Sequence, residues 1–386
     1  MAINNEQNKL NVPHLRFPEF EGEWEKCKLG ELAVKVGSGS TPKGGNAVYT
    51  TSGHCFVRSQ NVGMGHLILN DIAYIDESTH QKQKSTELRT NDVLLNITGA
   101  SIGRTALATE EINGGNVNQH VCIIRTNSNV EPSYICDYIQ TSKIQKYIQS
   151  LQTGGSREGL NFEQIRSFPI NIPTVEEQVK IAKLLSLINE RIATQSKLIE
   201  KLESLIKGLR VSLMQMENGN IVHLGEIARI YQPQTISSTE LTEDGFLVYG
   251  ANGIIGKYKQ YNHKTEQICI TCRGNTCGMV NYTKPMSWIT GNAMVINTDE
   301  HQNKVCKRYL YHYLSAYNFN SIISGSGQPQ IVRTPLEKLE ITLPSIFDQE
   351  QKAMLLDRIQ AKIEISNRVL NLYQEQKQYL LRQMFI

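Results

Sequence analysis

Apolar residues recur at alternating steps of four and three residues in the middle of the chain. The run comprises Ile181, Leu185, Ile188, Ile192, Gln195, Ile199, Leu202, Ile206, Leu209 and Leu213. Such spacing puts these side chains on one face of an α-helix, as at the a and d positions of a coiled coil. The 33 residues from 181 to 213 predict a helix of about 50 Å, because each residue adds ~1.5 Å.

A second seam follows 171 residues later. It comprises Lys352, Leu356, Ile359, Ile363, Ser366, Leu370, Tyr373, Lys377, Leu380 and Met384. Its two lysines can lay their aliphatic stems along the seam while the charge stays in water. Two separate amphipathic surface helices are the alternative, but the regular spacing favours a paired coiled coil.

The segments that flank these helices repeat as well. The offset between matching segments falls from 195 to 171 residues along the chain, so the first half is longer by 24 residues. The chain therefore has two homologous halves. The matching pairs are Gly30-Glu31-Leu32 with Gly225-Glu226-Ile227, TGASIG (98–103) with RGNTCG (273–278), and FPINIPTVEEQ (168–178) with LEITLPSIFDQ (339–349).

Short runs of β-branched residues, separated by turn residues, precede each long helix. Examples are DVLLNIT (92–98), HVCIIRT (120–126), QICITC (267–272) and NAMVINT (292–298). They predict short strands, and the segment 134–151 predicts helix within the first set. We therefore predict an α+β fold with two homologous sheet-rich domains, each followed by a long helix, and with the two helices forming an antiparallel coiled coil. The predicted order is a lead-in (1–23), a first sheet-rich domain (24–172), a first spacer helix (173–216), a second sheet-rich domain (217–344) and a second spacer helix (345–386).

Charge and composition narrow the class of protein. The 386 residues are 40% apolar, and 40 Lys and Arg face 37 Asp and Glu. This excludes a disordered polyelectrolyte and a strongly basic chromatin-type binder. The two sheet-rich segments are also near balance, with 14 basic and 13 acidic residues in 24–172 and 11 and 9 in 221–343. Since neither segment is strongly cationic, we expect the chain by itself to bind nucleic acid only modestly. We also expect a cytoplasmic chain, because no secretion signal or membrane-spanning apolar run is found.

Signatures of catalysis and of metal binding are missing from the sequence. Cys269, Cys272 and Cys277 lie close together, but no second pair of zinc ligands accompanies them, so a strand and a turn explain them better. No Pro-Pro-aromatic loop for an extruded base occurs, and GANGIIGKY (250–258) lacks the residues of a phosphate-binding loop. The sequence indicates a recognition and scaffold protein whose chemistry is supplied by partners.

Polar loops at matching places in both halves are the candidates for ligand contact. Arginine pairs with guanine, Asn or Gln pairs with adenine, and Gly and Ser let backbone amides approach phosphates. Two sheet-rich domains on an antiparallel coiled coil would suit a long, pseudo-symmetric ligand such as duplex DNA. The loops are RSQNVG (58–63), TGASIGR (98–104), GGNVNQH (114–120) and TGGSRE (153–158), with YGANG (249–253), RGNTCG (273–278) and SGSGQPQ (324–330) in the second half.

Taken together, these segments resemble the specificity subunits of type I restriction-modification systems. The resemblance covers nearly the whole chain, although the second half lacks the LRFPEFEGEW lead-in. It rests on VPHLRFPEFEGEWEKCKLGELA (12–33), NITGASIGRTALA (96–108), IPTVEEQVKIAKLL (172–185), YGANGIIGKY (249–258) and CRGNTCGMVNY (272–282).

The resemblance implies that each sheet-rich domain is a target-recognition domain for one half of a bipartite, asymmetric DNA site. The coiled coil would set the unread gap and dock two modification subunits, which bind S-adenosylmethionine and methylate adenine. Restriction subunits, driven by ATP with Mg²⁺, would join them, and this chain would hold no cofactor or metal and span no membrane. A protein-interaction scaffold that binds no DNA is the alternative, and a free-standing methyltransferase or nuclease is disfavoured.

From loop chemistry and repeat position, nineteen residues are predicted to contact DNA. In the first domain they are Arg58, Gln60, Asn61, Thr98, Ser101, Arg104, Asn118, Gln119, Ser156 and Arg157. In the second domain they are Tyr249, Asn252, Lys257, Arg273, Asn275, Thr276, Asn292, Ser326 and Gln328.

Overall fold

The computed structural model of the protein describes residues 10–152, 159–215, 219–251, 253–325 and 327–386. The described chain divides into two compact units. The first comprises the chain up to Gln195 together with Val369–Ile386, and the second comprises Ser196–Arg368. Each long helix therefore has one part in either unit.

The first unit is built on short strands. A four-stranded antiparallel sheet has the order β2-β8-β5-β6, a three-stranded sheet has the order β4-β3-β7, and β1 pairs with β9. The strands are β1 (Glu25–Lys28), β2 (Ala33–Ser38), β3 (His54–Val57), β4 (Ala73–Ile75), β5 (Val93–Asn96), β6 (Thr105–Leu107), β7 (Asn116–Val117), β8 (Val121–Thr126) and β9 (Pro169–Ile172).

Helices cover one side of the larger sheet and complete the core of the first unit. Tyr134 and Tyr138 lie at its centre and are fully buried. The predicted helix over 134–151 is divided in two, because Thr141 is extended with ψ 146°. The helices are α1 (Leu29–Leu32), α2 (Glu77–Lys82), α3 (Pro132–Gln140), α4 (Ser142–Gln152), α5 (Phe162–Arg166) and α6 (Val175–Met214).

The second unit repeats this arrangement. Its four-stranded sheet has the order β11-β17-β14-β15, its three-stranded sheet has the order β13-β12-β16, and β10 pairs with β18. The strands are β10 (Asn220–His223), β11 (Arg229–Tyr231), β12 (Phe246–Gly250), β13 (Gly253–Tyr258), β14 (Ile268–Thr271), β15 (Val280–Tyr282), β16 (Trp288–Ile289), β17 (Ala293–Asn297) and β18 (Glu340–Leu343). The helices are α7 (Leu224–Ile227), α8 (Lys307–Ala316), α9 (Arg333–Glu337) and α10 (Ile346–Gln383).

Equivalent backbone contacts show how closely the two units correspond. The backbone N–H of Leu29 donates to the carbonyl of Phe168 at 2.9 Å, and Leu224 donates to Leu339 at 2.8 Å. In each three-stranded sheet the central strand has one antiparallel and one parallel neighbour. The predicted α+β fold, with two homologous sheet-rich domains that each precede a long helix, is confirmed.

The long helices run antiparallel. In the first unit the guanidinium carbon of Arg191 in α6 lies 5.8 Å from the ring centroid of Tyr373, near the end of α10. In the second unit Arg210, near the end of α6, donates a hydrogen bond of 3.4 Å from Nη2 to Oε1 of Gln360 in α10. Every position of the two seams is buried or half-buried, including the polar Ser366.

The segment before β1 packs on the first unit. Arg16 donates from Nε and Nη2 to the two carboxylate oxygens of Glu177 in α6, each at 2.8 Å. The side chain of Glu177 is buried, and the half-buried ring of Phe17 packs against the core of the first unit. The lead-in thus contributes to the core around the start of α6. Among the described helices, none combines the length and the apolar character needed to cross a bilayer.

Candidate nucleic-acid interface

Backbone hydrogen bonds gather the predicted loops of the first unit at one end of its sheet. The N–H of Ile97 donates to the carbonyl of His120 at 3.0 Å, and the N–H of Leu160 donates to the carbonyl of Ile97 at 2.9 Å. Nδ2 of Asn96 donates to the carbonyl of Ser59 at 2.8 Å. The loops around 58–63, 98–104 and 118–120 therefore lie side by side.

The second unit gathers its loops through equivalent bonds. The N–H of Cys272 donates to the carbonyl of Asn292 at 3.2 Å, and the N–H of Ile331 donates to the carbonyl of Cys272 at 3.0 Å. The hydroxyl of Thr271 donates to the carbonyl of Ala251. The loops that contain Ala251, residues 273–278, Asn292 and residues 327–330 thus meet at one end of this sheet.

Glycines fix the shape of the central loop in both units. Gly99 and Gly103 have φ of 67° and 86°, and their equivalents Gly274 and Gly278 have φ of 83° and 91°. These left-handed conformations strongly favour glycine. The repeated glycines of TGASIG and RGNTCG therefore form the same turn twice, with Ile102 and its equivalent Cys277 packed against the core of each unit.

Predicted residues of the first unit form a chain of hydrogen bonds across these loops. Thr98 Oγ1 lies 2.6 Å from Nδ1 of His120, and Nε2 of His120 lies 3.0 Å from Nε2 of Gln119. Oε1 of Gln119 accepts from the N–H of Thr41 at 2.8 Å. Thr41 and His120 were not among the predicted contacts, although His120 lies within the predicted GGNVNQH loop.

Two further predicted residues lie beside this series of hydrogen bonds. Arg104 is exposed, whereas the hydroxyl of Ser101 is half-buried and accepts from Nδ2 of Asn96 at 3.2 Å. Arg104 and Gln119 are therefore exposed polar side chains at this end of the unit, while Ser101 also holds the turn together.

The loop 58–63 contains both outward and inward side chains. Nη2 of Arg58 donates to the carbonyl of Asp71 at 2.7 Å, and its guanidinium carbon lies 5.5 Å from the ring centroid of Tyr49. Gln60 is exposed and donates to Oδ2 of Asp71 at 2.7 Å. Asn61, however, is 1% exposed, and its amide donates to the carbonyl of Ile68 at 2.9 Å.

The buried side chain of Asn61 is bonded to the backbone of its own loop. Oδ1 of Asn61 accepts from the N–H of Arg58 at 3.0 Å, so both ends of its amide hold the loop. Asn118 is similar, because it is 7% exposed and its Oδ1 accepts from the N–H of His120. Both asparagines were predicted to contact DNA, and their side chains are buried and hydrogen-bonded to the backbone of their own loops.

The second unit presents a distinct set of polar side chains. Arg273, Asn275, Asn292 and Gln328 are exposed, and Thr276 is half-buried. The strand-like bridge between Arg273 and Gln330 corresponds to the bridge between Thr98 and Gly159 in the first unit. These predicted residues are therefore brought together.

Other predictions for the second unit are less well placed for contact. Tyr249 is 6% exposed and its hydroxyl accepts from the N–H of Lys284 at 3.1 Å, while burial raises its pKa. Little of this side chain is therefore exposed for the predicted contact with DNA. Lys257 lies within β13 and forms an ion pair of 3.6 Å with Asp244. Ser156, Arg157, Asn252 and Ser326 were also predicted to contact DNA and lie outside the described residues.

A glutamine that the sequence did not single out supports this end of the second unit. Nε2 of Gln232 donates to Sγ of Cys272 at 3.1 Å and to the carbonyl of Gly291 at 3.2 Å. The thiol of Cys272 in turn donates to the carbonyl of Asn292 at 3.2 Å. Within the described part of the chain, no group of three or more His, Cys, Asp or Glu side chains is arranged to hold a metal ion.

The two loop surfaces share a backbone but differ in side chains. Thr98 of the first unit corresponds to Arg273 of the second, since both lie beside the first glycine of the turn. Arg104 corresponds to Met279, because the N–H of each donates to the equivalent turn residue, at 3.1 Å and 3.0 Å. The exposed arginine therefore follows the turn in the first unit and precedes it in the second. The two loop surfaces present different side chains and can recognise different ligands.

The chain matches a known protein family in both halves. The family described as "Type I restriction modification DNA specificity domain" matches residues 21–204 and again residues 216–373. The two matches span most of the chain and cover each sheet-rich domain with part of the helix that follows it.

Individual proteins are also similar to the chain. The specificity subunit of the type I restriction enzyme EcoprrI from Escherichia coli is 32% identical over 140 residues, or 35% of this chain and 34% of that protein. The specificity subunit of the enzyme MjaVIII from Methanocaldococcus jannaschii is 22% identical over 419 aligned positions, which cover 95% of this chain and 92% of that protein.

Solved structures share the fold. The crystal structure of a type I restriction-modification S subunit from M. genitalium matches with a TM-score of 0.70 at 16% identity, over 97% of this chain and 99% of that chain. A chain from a study of the assembly of a type I restriction-modification system matches with a TM-score of 0.53 at 17% identity, over 94% and 97%.

Proposed function

Because this chain belongs to the family of type I restriction-modification DNA specificity proteins, we propose that it is the subunit that reads the DNA site for such a complex. Each unit reads one part of a bipartite, asymmetric site in duplex DNA. The contacts that we assign to the first unit are Gln60, Thr98, Arg104 and Gln119. Arg273, Asn275, Asn292 and Gln328 are those we assign to the second.

The observation that carries this proposal is the duplicated loop surface. Equivalent backbone bonds gather equivalent loops in both units, and the side chains presented there are Arg, Asn, Gln and Thr. These are the residue types that hydrogen-bond to base edges and to phosphates. Since the exposed side chains differ between the units, the two parts of the site differ as well.

The long helices set the unread gap between the two parts of the site. Their seams extend over about 50 Å, at ~1.5 Å per residue. Duplex DNA rises ~3.4 Å per base pair, so a seam of this length corresponds to roughly fifteen base pairs. The gap would therefore follow the length of the helices.

The chemistry of the complex comes from other subunits. Two modification subunits dock on the helices, bind S-adenosylmethionine and methylate adenine in each part of the site. Restriction subunits that use ATP and Mg²⁺ join for translocation and cleavage. This chain supplies sequence specificity and no catalytic group, which fits the near balance of 40 basic and 37 acidic residues in its sequence. We propose that much of the electrostatic attraction to DNA comes from the modification subunits.

Arg273→Ala tests the proposal, with Arg229→Ala as the control. Both guanidiniums are exposed, but Arg229 lies at the other end of the same sheet, where it pairs with Asn297. An arginine that reads a base contributes about 1–3 kcal/mol to binding and fixes one position of the site. The readouts are affinity for duplexes of stated sequence at several salt concentrations, and the methylated motif of the complex.

Loss of affinity and a relaxed base at one position in Arg273→Ala, with Arg229→Ala unchanged, would support the assignment. An unchanged motif in Arg273→Ala would contradict the assignment of that residue. If the complex bound every duplex equally and without salt dependence, the chain would be a scaffold that does not read DNA.

A further inference from the structure

The first unit contains a groove of about 570 Å³ between α3 and the first half of α6. Its wall includes Leu107, Ser133, Cys136, Asp137 and Ser186, each of which is smaller than the residue at the equivalent position of the second unit. The groove is separate from the loop surface that we assign to DNA.

In the second unit, five larger side chains occupy the equivalent space. Nε of Arg308 donates to both carboxylate oxygens of Asp357 at 2.9 Å. The guanidinium carbon of Arg308 lies 4.2 Å from the ring centroid of Tyr282 and 5.3 Å from that of Tyr311. His312 lies 2.8 Å from the same carboxylate through Nε2. An arginine that lies against two tyrosine rings and is paired with a carboxylate thus fills this space.

The correspondence between the two sets of residues is fixed by the repeat. The hydroxyl of Tyr134 in α3 donates to the carbonyl of Asn171 at 2.7 Å, and that of Tyr309 in α8 donates to the carbonyl of Thr342 at 3.2 Å. The same alignment pairs each small residue of the groove with a larger one. The pairs are Leu107 with Tyr282, Ser133 with Arg308, Cys136 with Tyr311, Asp137 with His312, and Ser186 with Asp357.

We propose that the groove of the first unit receives an arginine side chain from a partner polypeptide, in the place that Arg308 fills from within the second unit. The partner is a modification subunit, so this inference rests on the proposed function. The groove would then make the two docking sites for modification subunits chemically different.

Charge in the groove favours a cation. Asp137 lies at its base and is 5% exposed, with Oδ1 accepting from Nε2 of Gln140 at 3.1 Å. Glu131 and Glu190 also line the groove, against one lysine, Lys183. The carboxylates therefore outnumber the cations at the surface that a partner would meet.

The buried carboxylate lacks full compensation within the chain. Burial raises the pKa of Asp137 to about 7, although the charge of Lys377 and the hydrogen bond from Gln140 oppose the shift. The ammonium of Lys377 donates to Oε1 of Gln140 at 2.8 Å, so it reaches Asp137 through the amide of that glutamine. A guanidinium that enters the groove would favour the ionised form of Asp137 and gain a charge-assisted hydrogen bond.

Ser186→Trp tests whether the groove is occupied. Ser186 is exposed on α6, so an indole there fills the groove without replacing a core residue. Gln149→Trp is the matched control, because Gln149 is an exposed residue of α4 outside the groove. The probe is the purified modification subunit of the same system, and the readouts are its affinity for the full chain and the number of copies bound.

Glu190→Lys tests the charge of the occupant. Glu190 is exposed at the rim, and reversal of its charge repels a cation from the partner. We expect Ser186→Trp to weaken one of the two binding events by about tenfold or more. Glu190→Lys should weaken the same event, more strongly at low salt than at high salt. Gln149→Trp should bind two copies as the unchanged chain does.

The possible results separate this inference from the proposed function. Equal binding by Ser186→Trp and Gln149→Trp would show that no partner side chain enters the groove, while the proposed function would stand. Tighter binding by Glu190→Lys would show that the occupant is not an arginine. If the unchanged chain bound no modification subunit, the proposed function and this inference would both be wrong.

Discussion

Oε1 of Gln178 accepts a hydrogen bond of 2.9 Å from the backbone N–H of Glu131, which joins the start of α6 to the start of α3. Its Nε2 donates to the carbonyl of Pro173 at 2.9 Å. Gln349 repeats both bonds in the second unit, with Cys306 at 2.8 Å and Pro344 at 2.9 Å. The two glutamines are buried, so each fixes a long helix to the domain that precedes it.

Gln178→Ala should lower the stability of the first unit by about 1–3 kcal/mol, because it leaves a buried N–H without its acceptor. Urea denaturation measures the free energy of unfolding, and hydrogen exchange of α3 locates the loss. Glu176→Ala is the control, since Glu176 is exposed in the same turn of α6. An equal change in both variants would contradict the role of Gln178.

Asp137 should make the stability of the first unit depend on pH. Its pKa is raised to about 7 in the folded chain, against ~3.9 in an unfolded chain. The folded state then binds the proton more tightly, so the contribution of protonated Asp137 is complete below pH ~4 and is lost as the pH rises to about 7. The slope is at most ~1.4 kcal/mol per pH unit.

Comparison with Asp137→Asn isolates this effect, because other titrating groups are common to both proteins. The difference in unfolding free energy between the unchanged chain and the variant should shift against the unchanged chain from pH 4 to pH 7. A difference that does not vary over this range would show that Asp137 keeps its ordinary pKa.

Asp357 should stabilise the second unit through its bonds to Arg308 and His312. Burial alone would raise its pKa, but the hydrogen bonds from His312 and Arg308 hold that pKa below its usual value. Its contribution is therefore present above pH ~4 and is lost as the pH falls. Asp357→Ala should cost about 1–3 kcal/mol at neutral pH, measured by urea denaturation.

Glu364→Ala is the control for Asp357→Ala, because Glu364 is an exposed carboxylate on the same helix. Hydrogen exchange of α8 should increase in Asp357→Ala alone. Unchanged exchange in α8 would mean that the Arg308–Asp357 pair does not hold α8 against α10.

Neighbouring residues of one loop should separate stability from recognition. Asn61 is buried and bonded to the backbone, so Asn61→Ala should destabilise the first unit by about 1–3 kcal/mol. Gln60 is exposed, so Gln60→Ala should leave stability within ~0.5 kcal/mol and change only DNA binding. Thermal unfolding and duplex affinity measured on both variants distinguish these outcomes, and the reverse pattern would contradict the assignment.

The repeat and the long helices could be predicted from the sequence because both depend on local patterns of residues. The four-three spacing from Ile181 to Leu213 needs no knowledge of tertiary structure, and the glycines of TGASIG and RGNTCG mark turns that only glycine readily forms. The matching offsets aligned the two halves, and the equivalent hydrogen bonds of Leu29 and Leu224 follow that alignment.

The direction of individual side chains could not be predicted in the same way. Asn61 and Gln60 are adjacent polar loop residues, yet one is buried and the other exposed, because only the folded loop decides which carbonyls lie within reach. Tyr249 was predicted to contact DNA, but it is 6% exposed and its hydroxyl accepts from the backbone of Lys284. The groove beside Asp137 could not be predicted, because it depends on how α3 packs beside α6 in the folded unit.

Methylation mapping of a helix-lengthened chain tests the central claim most directly. Seven residues are inserted between Gln195 and Ser196 in α6 and between Arg368 and Val369 in α10, so that the seam continues in phase. One heptad adds about 10 Å, or roughly three base pairs of duplex. We predict that the complex then methylates the same two half-sites separated by a gap about three base pairs longer. A methylated motif with the original gap would contradict the claim that this chain reads a bipartite site across its paired helices.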